Sequence, residues 1–139
     1  MKNIRLLPVV VIIFLYSCGG SPDQSGTSTP ALVQVVSGEN VYSKTCVACH
    51  QAKGEGVPGA FPPLAKSDYL NNKELVIKQV LKGSSGEITV NGQTFNNTMP
   101  PQALSDNEIA AVLTYVYGNF GNGGGTVTPD EVKTERAKQ

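Results

Sequence analysis

The sequence predicts an all-α domain of three to four helices carrying one small β-hairpin, and three stretches are responsible for that prediction. Ser105 to Tyr117 opens with a capping box, Ser105 with Glu108, and continues with an apolar face of Ile109, Val112, Leu113 and Val116. Asn72 to Leu81 sets Leu75, Val76, Gln79 and Val80 along one side of a helix that Gly83 stops. Between Glu87–Val90 and Gln93–Phe95 lies Asn91-Gly92, whose residue types accept the two positive-φ positions of a type I′ hairpin turn.

The remaining elements follow in chain order. The chain has 139 residues, of which 40% are apolar and 16% charged, enough for one modest domain with appendages. Lys2 and Arg5 precede an apolar run from Leu6 to Tyr16 that has signal-peptide length and is too short to cross a bilayer. Residues 1–17 therefore read as a signal peptide. The run closes on Leu15-Tyr16-Ser17-Cys18, which resembles the lipobox of bacterial lipoproteins, although Tyr16 is bulkier than the usual occupant. The resemblance implies that Cys18 is lipidated and becomes the mature N-terminus. Stable anchoring needs more than one acyl chain, and a triacylated cysteine supplies it. An ordinary secretory signal cut nearby, leaving Cys18 as a spare thiol, is the alternative.

Loss of Lys2 and Arg5 leaves 11 − 2 = 9 basic residues against 11 acidic ones, a mature net charge of 9 − 11 = −2. Nothing forms the basic stripe that nucleic-acid binding requires, so no nucleic-acid partner is expected. Residues 18–36 read as a tether. Gly19 to Thr29 is rich in Gly, Ser, Thr and Pro, and the tether reaches roughly 25 Å. Ala31 to Val36 is more apolar and is expected to dock on the domain as an extended strip. Residues 37–120 form the domain. Its first helix is expected over Glu39 to Cys49 with Ser37 as cap, followed by a loop that Gly54-Glu55-Gly56-Val57-Pro58-Gly59 keeps out of helix. Gly118 is expected to end the last helix. Residues 121–139 begin with a Gly-rich spacer. Pro129 to Lys138, with Thr128 as cap, reads as a short polar helix, as a disordered tail or as a segment folded back on the domain.

The chemistry centres on Cys46-Val47-Ala48-Cys49-His50. The chain has three cysteines and one histidine, so this motif holds every Cys except Cys18 and the sole His. C-x-x-C-H is the attachment motif of c-type haem. Two thiols three residues apart on a helical turn each bond one vinyl group of a porphyrin, and the adjacent imidazole meets the iron. A thioredoxin-like dithiol needs a βαβ setting that the pattern lacks. A zinc site wants four ligands, and no fourth Cys or His partner exists outside the lipobox. A Cys46–Cys49 disulfide leaves His50 unexplained.

The iron of such a haem takes a second ligand, normally Met. Met1 leaves with the signal, so Met99 is the one thioether of the mature chain. It lies in Asn96-Asn97-Thr98-Met99-Pro100-Pro101, a polar loop that two prolines keep out of helix. A lone Met is usually a core gap-filler, which this setting does not suit. Lys53, Lys66 and Lys82 are the competing strong-field ligands, and each needs deprotonation first. The preceding hairpin is expected to brace the methionine loop.

These residues resemble the class I cytochrome c family over about Ser37 to Phe120. The chain is similar in particular to small bacterial cytochromes c, and to cytochrome domains accompanying copper nitrite reductases, quinoprotein dehydrogenases or haem–copper oxidases. Gly38 and Tyr42 match the glycine and aromatic of the family's first helix, and Tyr115 matches the aromatic of its last. Ala60-Phe61-Pro62-Pro63-Leu64 matches the loop over the proximal side of the haem. There the resemblance implies that a proline carbonyl, of Pro62 or else Pro63, accepts from the proximal imidazole. Val57, Phe61, Leu64, Ile77 and the last helix are expected to wrap the haem in apolar surface. The resulting expectation is one haem c on Cys46 and Cys49 with His50 and Met99 as axial ligands. It would carry single electrons between redox proteins on the outer side of a bacterial membrane, with no small-molecule substrate and no enzymatic activity. A dedicated subunit of a reductase, oxidase or dehydrogenase, or a haem sensor, are the alternatives.

Overall fold

The computed structural model describes residues 35–138. Among them are five α-helices and one two-stranded antiparallel sheet: α1 Gly38–Thr45, α2 Val47–His50, α3 Lys73–Lys82, β1 Ile88–Val90, β2 Gln93–Phe95, α4 Asp106–Asn119 and α5 Pro129–Ala137. The signal peptide, Cys18 and most of the tether lie outside the described residues. Of the strip expected to dock, Val35 is 91% exposed while Val36 packs against the core.

The first and last helices of the resembling region form the frame. Ser37 caps α1 by accepting from Asn40 N, and Val41 and Tyr42 are its buried residues. α1 crosses α4 at Gly38, where an added Cβ would sit 2.1 Å from the carbonyl oxygen of Ala111, so only glycine permits this approach. Tyr42, Tyr115 and Phe120 close one end of the crossing, with ring centroids 5.1 to 5.6 Å apart. Ile109, Val112, Leu113 and Val116, the expected apolar face of α4, are all buried. α3 adds Val76, Ile77 and Leu81.

Three boundaries differ from expectation. The first helix breaks at Cys46, whose φ of −104° is far from the usual helical value, and resumes as the single turn α2. β-branched Thr45 and Val47 flank the break, and such side chains crowd a helical turn. α4 runs through Gly118 to Asn119, and its end is set by Phe120, held in the aromatic cluster, and the positive φ of Gly121. The Gly-rich stretch is not a free spacer. Asn122 accepts from Ser67 N at 3.0 Å and donates to the carbonyls of Leu64 at 2.8 Å and Val116 at 3.0 Å.

The choice left open for the tail resolves as a helix folded back on the domain. Thr128 and Glu131 form a capping box with Pro129 in the first turn of α5. Val127 and Val132 are 3% and 0% exposed, packed in the same core as α3 and α4. Burying one such valine is worth roughly 1.5–3 kcal/mol, which offsets part of the cost of ordering a helix this short.

Candidate haem site

One large cleft opens between α2, the proline loop, the hairpin and the methionine loop, with α3 and α4 at its back. Cys46, Cys49, His50, Pro62, Leu64 and Met99, the predicted site residues of the domain, all line it. It encloses about 1360 Å³, counting space open to solvent.

The proximal side is ordered by helix geometry. The N–H groups of Cys49 and His50 both donate to Cys46 O, at 3.2 and 3.0 Å, so the motif closes into one turn. Both cysteines are only partly buried, with their side chains lining the cleft. His50 Nδ1 lies 2.9 Å from Pro62 O. A carbonyl oxygen only accepts, so Nδ1 carries the proton and Nε2 keeps its lone pair. Burial holds the imidazole below its ordinary pKa, which keeps it in this neutral, ligating form. The carbonyl partner also fixes the ring, as outer partners of metal-bound histidines do. The proline loop is held by a bridge between Val57 and Phe61 and by Leu64 N donating to Gly54 O at 2.7 Å.

The distal side is extended chain. Met99 pairs with Ser84 through two backbone hydrogen bonds of 2.9 Å each. Gln102 N donates to Val80 O at 2.9 Å, and Asn97 Nδ2 donates across the cleft mouth to Ala60 O at 3.0 Å. The brace expected from the hairpin turn is therefore supplied elsewhere. Asn91 exchanges hydrogen bonds with Asp68 in the 3₁₀ turn Asp68–Asn71, at 2.7 and 3.0 Å, while Ser84 holds the methionine. The hairpin contributes walls instead, through Ile88, Val90 and Phe95.

The apolar wrap is also partly reassigned. Phe61, Leu64 and α4 residues Val112, Leu113 and Val116 line the cleft, but Val57 and Ile77 do not. Val57 is held in its bridge, and Ile77, 1% exposed, is turned about 100° from Val76 into the core. Val76, Gln79 and Val80, which helical spacing sets on one side of α3, were not assigned to the haem wall, yet they line it. Tyr69 was missed altogether; its side chain pairs with that of Gln79 at 2.6 Å on the cleft wall, and it has no motif.

The residues present fit a haem. No lining side chain is charged, so Lys53, Lys66 and Lys82 are all outside the cleft. Two cysteine sulfurs and a neutral imidazole share it with one thioether, and the other walls are mainly apolar, interrupted by uncharged polar side chains such as Tyr69 and Gln79. Among the described residues no group of three or more His, Cys, Asp and Glu side chains forms a cage for a bare ion.

An all-helical frame around an apolar cleft bearing C-x-x-C-H defines a covalent haem protein. The chain belongs to the cytochrome c family, whose model, described as Cytochrome c, matches residues 35–118. It is 40% identical over 113 residues to cytochrome c-552 of Thermus thermophilus, covering 73% of this chain and 86% of that one. A second cytochrome c-552, from another strain of Thermus thermophilus, matches at the same identity, with 76% of its length covered. The fructose dehydrogenase cytochrome subunit of Gluconobacter japonicus is 32% identical over 130 residues, covering 88% of this chain and 26% of that protein. The chain is thus a class I c-type cytochrome with haem c held covalently through Cys46 and Cys49, and its role is that of a mono-haem electron carrier.

Proposed function

We propose that His50 and Met99 are the axial ligands of this haem, and that the protein relays single electrons between redox partners and catalyses no reaction of its own. The observation that carries this reading is the lining of the cleft. Its ligating side chains are those of C-x-x-C-H and Met99, and none of its side chains is charged. When bound, the haem supplies one-electron exchange between ferric and ferrous iron. His50 holds its side with a ring fixed by Pro62 O, and Met99 presents a thioether that favours the ferrous state. The apolar walls disfavour the extra charge of the ferric state and raise the potential further. With both axial positions filled, transfer is outer-sphere, through the edge near Cys46 and Cys49, to a partner gripped briefly over a small interface. The test is spectroscopic. Oxidised protein at neutral pH should show the weak near-infrared sulfur-to-iron charge-transfer band, and reduced protein should not bind carbon monoxide. A missing band with ready carbon monoxide binding would turn the reading into a ligand-binding sensor.

A second reading is favoured by one observation. The similarity to the Gluconobacter dehydrogenase cytochrome subunit extends over 88% of this chain, beyond the part that the family model covers. It supports service as the cytochrome subunit of a dehydrogenase. Co-purification at fixed stoichiometry with a dehydrogenase would select it; isolation as a lone chain from its native membrane selects the shuttle.

Export and lipid anchoring belong to the same proposal. They are supported by the signal-like residues 1–17 and by Cys18. No helix among the described residues is long and apolar enough to cross a membrane. Cys18→Ala should leave the cytochrome in the soluble fraction or block its processing. Wild-type protein that is soluble, with an intact mass lacking acyl chains, rules anchoring out.

A further inference from the structure

The distal loop from Met99 to Leu104 is tied down at three places. Ser84 holds Met99, and Val80 O holds Gln102 N. The third tie comes from the last turn of α5. Arg136 Nη2 donates to Leu104 O at 2.9 Å, and Arg136 Nε donates to Asp106 Oδ1 at 2.8 Å. Leu104 closes the loop and lines the haem cleft, and Asp106 is the first residue of α4. One guanidinium therefore clasps the end of the methionine loop to the start of the helix that walls the cleft.

The clasp has its own foundation. Val132, one turn before Arg136, is fully buried, and Glu131 pairs with Lys73 of α3 at 3.0 Å. The burial of Val132 fixes α5 so that its last turn meets Leu104, whereas the Glu131–Lys73 pair, 41% and 37% exposed, adds little. Residues 129–137 lie beyond the region that the family model matches. The Arg136 and Asp106 side chains are 43% and 30% exposed, and an ion pair that wet contributes little. The consequential bond is the one to Leu104 O, because it acts on the loop. A planar fork can hold two acceptors in fixed relation, which an ammonium cannot.

We propose that Arg136 is a positioning residue for electron transfer: it latches the methionine loop so that Met99 stays on the iron. The proposal rests on the reading of Met99 as axial ligand. Opening of the loop exposes the iron, so the affinity of ferric holoprotein for an added ligand measures how often the latch fails.

The experiment is an imidazole titration of the oxidised holoprotein, followed by loss of the charge-transfer band. Arg136→Ala should bind imidazole more tightly, on the order of tenfold, as expected for losing a charge-assisted hydrogen bond. Arg136→Lys should fall between Ala and wild type. Lys73→Ala, which removes the exposed pair between α3 and α5 without touching the loop, should leave imidazole affinity at the wild-type value. If Arg136→Ala does not retain haem, Arg136→Lys alone decides, by a shift or its absence. Wild-type affinity in the Arg136 variants overturns the latch, and so does an equal shift in Lys73→Ala, which would make α5 general support. Absence of the charge-transfer band from the wild type overturns the ligand reading itself, and the latch with it.

Discussion

On the proximal side of the cleft, the two cysteines and the histidine lie within one helical turn, where Cys49 N and His50 N return to Cys46 O, and a single longer-range bond joins His50 Nδ1 to Pro62 O. On the distal side Met99 stands on extended chain paired with Ser84, and the loop that follows it is held at Gln102 by Val80 O and at Leu104 by Arg136, all of them distant in sequence. His50, proposed as the proximal ligand, is held by the covalently attached turn and by Pro62 O. The distal one is held by tertiary structure alone. Disturbing the proximal side should therefore abolish the cytochrome, whereas disturbing the distal side should change how the haem works while leaving it in place.

The largest effect tests the first half of that contrast. Replacing both Cys46 and Cys49 by Ala should leave a chain with no covalent haem. The cleft would then be an unfilled apolar cavity, and the cost of such cavities grows with their volume. Haem staining of a denaturing gel should be absent, and far-UV circular dichroism should report loss of helix. A variant that keeps its haem through denaturation would show that another attachment exists.

Met99→Ala comes next. The haem should stay attached and the helices intact, because no proximal bond is touched. The charge-transfer band should vanish, carbon monoxide should bind readily, and the potential should fall markedly, since water or a lysine nitrogen favours ferrous iron less than a thioether does. An unchanged potential would mean that Met99 is not on the iron, and the contrast between the two sides would lose its basis.

The same contrast separates what was legible in the sequence. C-x-x-C-H could be read directly, because spacing within one turn is a local property. Ser105 and Glu108, Ser37, and Asn91-Gly92 were legible for the same reason: caps and tight turns are short-range chemistry. Met99 was reachable only by elimination in a chain with two methionines. Its brace was misplaced onto the hairpin, because nothing local says that Ser84 meets Met99 fifteen residues later. Gly118 misled because a glycine inside α4 can stay helical when the stop is set by the packing of Phe120. Whether 129–138 was tail or helix turned on Val132, a single apolar residue whose value depends on a core that periodicity cannot locate. Arg136 looked like a surface charge, and its role exists only once α5 is placed against Leu104.

The smallest effects sharpen the comparison, through two glycines that both have positive φ. Gly83 has φ of +73° with ψ of −175°, a region essentially confined to glycine, and Gly92 has φ of +76°, so replacing either by Ala strains the backbone by about 1–2 kcal/mol or more. Their surroundings differ. A Cβ on Gly92 meets nothing within 4 Å, whereas one on Gly83 would lie 2.3 Å from Met99 O and 2.9 Å from Pro101 N. Gly83→Ala must therefore move the methionine loop, adding a packing cost of about 1–3 kcal/mol. Its melting temperature should fall further than that of Gly92→Ala, and its charge-transfer band should weaken. Gly92→Ala should cost stability alone, with the band and the imidazole affinity of the wild type, because its turn is tied to Asp68 and bears no load from Met99. Equal effects on the band from both variants would mean that the hairpin turn supports Met99 after all, and that the distal loop is held along its whole length.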